Sequence, residues 1–124
     1  MAGTIAADTL THSTAGSLTT DYVVNGSAKV WVLYDQANDI DRGSNNISTI
    51  ADTSTGLFTL NYTNSFIDGY YAVTGSGNLN RRFQIDGTAL SEQTASAVDC
   101  RITTEGTTVS DITTIGVNIH GDLA

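Results

Sequence analysis

The sequence predicts an all-β protein: an antiparallel β-sandwich or jelly-roll-like domain of about eight short strands, with an extended N-terminal arm. Three observations predict it. Ser and Thr number 31 of 124 residues, beside 12 Gly, nine Asn and no Pro. Among the acids Asp outnumbers Glu by 11 to 2, and Asp and Asn form turns where Glu forms helices. Finally, apolar residues alternate with polar ones in short runs, bounded by turn signals about 8–12 residues apart, and no segment carries a sustained 3.6-residue apolar stripe. A chain of this length buries roughly two-thirds of its unfolded surface, enough for one modest core.

Residues 1–27 are read as the arm. They are rich in Ser, Thr, Ala and Gly, with Ile5, Leu10 and Leu18 as isolated apolar pegs, too few to bury much by themselves. Residues 28–124 are read as one β domain. Ala28–Tyr34 is the strongest strand: Val30, Val32 and Tyr34 lie on one face, Trp31 and Leu33 on the other. A strand apolar on both faces is expected to be covered on both, here by the opposite sheet and by another subunit. Residues 46–51 and 57–63 are predicted strands joined by a hairpin connection over 52–56. Strands are also predicted over 70–74, 82–86, 97–103 and 115–120, and the Gly75-Ser76-Gly77 segment reads as a turn.

Several function classes fall away. No run approaches the ~20 apolar residues of a membrane-spanning helix, and residues 1–8 do not read as a secretory signal. A single cysteine, Cys100, forms no internal disulfide and sits at an inward strand position, where a thiol behaves as a small hydrophobe. A net charge of −8 with five basic residues disfavours nucleic acid. The acidic run Asp35–Asp41 resembles a calcium loop, but Ala37 stands where a second ligand is needed and no Glu closes it; it reads as a solvated Asp-rich hairpin. His12 and His120 belong to no cluster, no nucleophile elbow is present, and the Gly75–Asn80 segment lacks the Lys and helix of a phosphate loop. No cofactor, metal or catalytic residue is predicted.

What remains is surface. Ile5, Leu10, Leu18, Trp31, Arg81 and Arg82 are the candidates for docking and inter-subunit contact, with the arginines expected to pair with acids of a neighbour, as is Arg101. Tyr70 and Tyr71, adjacent on one strand and so facing opposite ways, are the candidates for a glycan contact.

The segments Ser27-Ala-Lys-Val-Trp-Val32, Arg42-Gly-Ser-Asn-Asn-Ile-Ser-Thr-Ile-Ala-Asp52, Thr55-Gly-Leu-Phe-Thr-Leu-Asn-Tyr-Thr63 and Tyr71-Ala-Val-Thr-Gly75 carry a family likeness. Together they resemble a small β module of tailed-bacteriophage virion proteins, of the head-fibre or tail-fibre type found in phages of marine and cyanobacterial hosts. The likeness spans about residues 22–75 and, more loosely, 116–121. Tyr34 and the acidic 35–41 loop depart from its usual pattern. The resemblance implies a non-enzymatic structural protein on the exterior of a capsid or tail. It further implies self-association, often as a homotrimer, contacts with other virion proteins, and assembly in the bacterial cytoplasm. A receptor- or glycan-binding fibre-tip module is the alternative. Neither nucleic acid nor membrane is an expected partner.

Overall fold

The computed structural model describes residues 3–87, 92–105 and 108–124, with the side chain of His12 excepted. Among the described residues, ten strands form three antiparallel sheets. β1 (Thr9–His12) and β2 (Gly16–Thr19) make a hairpin, and a seven-residue helix, α1 (Thr20–Gly26), follows it. Then come β3 (Val30–Asp35), β4 (Ile40–Asn45), β5 (Ile47–Ser54), β6 (Leu57–Tyr62), β7 (Ala72–Gly77), β8 (Arg82–Ile85), β9 (Ala97–Thr103) and β10 (Ile115–His120). The order β4-β3-β10-β7 forms one sheet of a sandwich and β5-β6-β9-β8 the other.

The predicted fold class is the observed one. Each of the four central strands sends three side chains inward: Val30, Val32 and Tyr34; Phe58, Leu60 and Tyr62; Val98, Cys100 and Ile102; Ile115, Val117 and Ile119. All twelve are buried in a single cluster. Fully burying an aliphatic side chain of this size contributes about 1.5–3 kcal/mol, so this layer dominates the stability. The Tyr34 and Phe58 rings meet across the two sheets at 5.3 Å. At one end Phe66 stacks on Tyr71 at 4.4 Å and both rings touch Tyr62. The Tyr62 hydroxyl donates to the Tyr71 hydroxyl, whose single proton is shared between the carbonyls of Thr94 and Ala97, each at 2.9 Å.

The chain passes between the two sheets four times, twice through short lateral corners. Asn46 alone separates β4 from β5 in a left-handed conformation (φ 59°). Its amide braces the corner, donating to the Asn64 carbonyl and accepting from the Asn64 N–H. On the other side, Asn78–Arg81 joins β7 to β8 through two consecutive left-handed residues, Leu79 and Asn80 (φ 60° and 57°), with the Arg81 N–H returning to the Asn78 carbonyl.

Four sequence expectations are corrected. The arm is not extended but a hairpin followed by a helix. The acidic segment 35–41 does turn as a hairpin, through a single 3₁₀ turn, Gln36–Asn38, but its return arm is a strand the sequence did not suggest, β4. The turn between β5 and β6 is only Thr55-Gly56. Tyr70 and Tyr71 precede their strand, which instead takes in Gly75, Ser76 and Gly77. A side chain at either glycine would press on a core neighbour. A Cβ on Gly75 would fall 2.2 Å from the Phe83 ring, and one on Gly77 would fall 2.6 Å from Ile112.

Candidate docking surfaces

Of the described side chains between Gly3 and Ser27, only Thr20 is not exposed. Leu10 and Leu18 are register partners in the β1–β2 hairpin and stand on one face, with Thr11 and Ser17 hydrogen-bonded at 3.0 Å on the other. The helix continues the hairpin: the Thr20 N–H donates to the Asp8 carbonyl at 3.0 Å and its hydroxyl to the Ala7 carbonyl at 2.8 Å. Between them, Ile5, Leu10, Val23 and Val24 line an open groove. Ile5 is 90% exposed, and Leu10, Leu18, Tyr22, Val23 and Val24 are exposed as well. At its root the arm is tethered by the Lys29 ammonium on the Val24 carbonyl, and the Ser27 hydroxyl closes the end of the helix on the Val23 carbonyl.

The outer face of the β4-β3-β10-β7 sheet is the second surface. Register places Asn45, Trp31, Asn118 and Thr74 side by side across all four strands, and the next outward row is Gly43, Leu33, Gly116 and Ser76. Trp31 is 42% exposed. Its six-membered ring lies 3.5 Å from where a Cβ on Gly43 would stand, so the indole rests on the glycine. Thr74, Ser76, Gly116 and Asn118 line a shallow depression beside it. The expected second cover for this strand is thus not supplied by the chain itself. The opposite outer face is polar: Thr59 donates to Asp99 at 2.6 Å, and Arg101 pairs with Asp86 at 2.9 Å. That ion pair within the chain corrects the expectation that Arg101 seeks a neighbour's acid. Arg81 is half-buried and Arg82 exposed, and among the described residues neither forms an ion pair.

Of the two glycan candidates, Tyr70 is 77% exposed, whereas Tyr71 is buried in the aromatic cluster and is closed to a ligand. Burial is the main reason the Tyr71 hydroxyl is pushed up to about 12. Comparison of the chain with protein families, curated proteins and solved structures finds no match.

Asp35, expected to be solvated, is fully buried. Burial raises its carboxyl, but hydrogen bonds from Arg42 and Asn38, with the Arg42 charge, outweigh that and hold it below the ordinary value. Asp41 accepts from the Gly43 N–H at 2.9 Å and the Ser44 hydroxyl at 2.6 Å. Among the described residues no group of three His, Cys, Asp or Glu is placed to hold a metal. Burial drives the Cys100 thiol well above its usual range, the opposite of what a nucleophile needs. His120 is half-buried on the outer face at the end of β10.

The sequence missed the contributions of Asn45, Asn118 and Thr74, since cross-strand register leaves no local signal. It also missed the arm's Tyr22-Val23-Val24 cluster, an apolar triplet inside the segment read as the arm, whose pegs were expected to be Ile5, Leu10 and Leu18 alone.

Proposed function

We propose that the protein is a non-catalytic structural component of a tailed-bacteriophage virion, decorating the exterior of the capsid or tail and held there by its arm. The observation that carries this reading is an appendage whose apolar side chains, from Ile5 to Val24, are left in solvent. A lone two-stranded hairpin is marginal in water, and so is a seven-residue helix. Such an element gains its stability from what it lies on, here a second copy of the chain and a virion protein. The resemblance of the strands around Trp31, Ile47, Phe58 and Val73 to phage fibre modules supports the virion setting, and three-fold symmetry is the expected arrangement.

Deleting residues 2–26 tests the reading. The sandwich should keep its cooperative melt, native mass spectrometry should lose the trimer, and binding to purified phage particles from the expressing lysate should disappear. Retained trimer and undiminished particle binding would overturn it.

A further inference from the structure

We propose that the outer face of the β4-β3-β10-β7 sheet binds a neutral glycan, with a sugar ring stacked on Trp31 and its hydroxyls held by Asn45, Asn118, Thr74 and Ser76. The inference does not depend on the arm or on a virion setting. It starts from the two outward rows. One reads amide, indole, amide, hydroxyl; the other reads glycine, leucine, glycine, hydroxyl. A chain with 13 acidic and five basic residues places none of them in either row.

That chemistry selects among occupants. Carboxamides and hydroxyls each donate and accept hydrogen bonds, which matches the dual character of sugar hydroxyls. A charged partner would find no countercharge in the rows. The indole face is a flat, electron-rich apolar surface, and the C–H-bearing side of a pyranose is the flat, slightly positive surface that lies against it. Gly43 lets the indole lie flat on β4, and Gly116 keeps the sheet low on the other side of β3, so a ring can stack on the indole and reach across the strands. The Asn118 amide makes no hydrogen bond within the described residues, while Thr74 donates to the Asn118 carbonyl at 3.3 Å. A second copy of the chain fits less well. A stable protein interface takes about 800 Å² and 20–30 residues from each side, whereas this strip has eight residues, of which only Trp31 and Leu33 are large and apolar. The proposal therefore moves Trp31 out of the subunit contact expected for it and moves the glycan contact away from Tyr70 and Tyr71.

Trp31 is the sole tryptophan, so its fluorescence reports the site directly in the intact protein. The probes are neutral hexasaccharides of β-1,3-glucose, β-1,4-glucose, β-1,4-N-acetylglucosamine, α-1,6-mannose and β-1,4-galactose, with a sulfated heparin hexasaccharide as the charged comparison. At least one neutral probe should shift the emission to the blue and saturate with a Kd on the order of 1 mM or tighter. Calorimetry should then find binding abolished in Trp31→Ala, weakened at least about tenfold in Asn118→Ala and unchanged in Tyr70→Ala. Melting curves check that each variant folds, and if Trp31→Ala does not, Asn118→Ala decides. Three results overturn the proposal: no emission shift with any neutral probe at about 10 mM, preference for the sulfated probe, or affinity retained in Asn118→Ala. So does an indole shielded from acrylamide in the free protein, which would mean that another copy already covers the face.

Discussion

Asp35 concentrates a problem that the rest of the molecule avoids: a carboxylate with no exposed surface. It stays ionised because its oxygens are engaged, by the Asn38 N–H at 3.2 Å, the Asn38 amide at 3.0 and 3.1 Å, and the Arg42 guanidinium. Those same bonds fix the 3₁₀ turn and aim β4 back along β3. A folded carboxyl held below its ordinary value near 3.8 makes the unfolded chain the first to take up a proton as pH falls. Its stabilisation is therefore complete above that value and is lost as pH drops through the lower folded one. Asp35→Asn should weaken the fold at pH 7 and flatten the dependence of urea midpoint on pH between about 5 and 2. An unchanged acid slope would show that other carboxylates set it. None of this was legible beforehand, because an Asp-rich stretch gives no sign of which acid turns inward.

At the level of elements, legibility followed how much each strand depends on its own side chains. β3, β6, β9 and β10 alternate, send three core side chains each between the sheets, and stand out in the sequence. β4 has the sequence Ile-Asp-Arg-Gly-Ser-Asn, with no alternation; it is a strand because its backbone pairs with β3. β7 was cut short at the glycines that lie against Phe83 and Ile112. The β7–β8 corner holds a second lesson. Leu79 is 70% exposed yet left-handed, a conformation that costs a branched L-residue about 1–2 kcal/mol. With little packing to lose, Leu79→Asn should raise stability by about 1 kcal/mol, read as a higher denaturant midpoint at unchanged slope. A decrease would mean that Leu79 is held by contacts worth more than its strain.

Across the whole molecule, the two outer faces have opposite characters. One carries the ion pair and the polar ladder of β9; the other carries an uncharged strip around Trp31. That difference arises from register among four strands distant in sequence, which is why the alternation of Ala28–Tyr34 revealed two apolar sides without saying which would stay uncovered. The core imposes its own pH limit. Burial raises the hydroxyls of Tyr34, Tyr62 and Tyr71 and the thiol of Cys100. In alkali the unfolded chain ionises first, from about pH 9–10, while the folded one remains neutral, so stability falls as pH rises from there. A single cooperative loss of near-ultraviolet circular dichroism above about pH 10 is expected, arriving together with reactivity of Cys100 toward iodoacetamide. Labelling of Cys100 at pH 8 in the folded protein would contradict this.

The position of β10 in the first sheet has a further consequence. It is wedged between β3 and β7, and about eighty residues of chain separate β3 from it. During synthesis β3 must therefore wait, with Trp31 and Val32 both uncovered, until the strand that completes its sheet has left the ribosome. Closing such long loops is slow, and two open strand edges invite pairing with other nascent chains. A premature stop before Ile115 would leave that gap permanently open, so the truncated product should go to inclusion bodies, however intact its remaining seven sandwich strands.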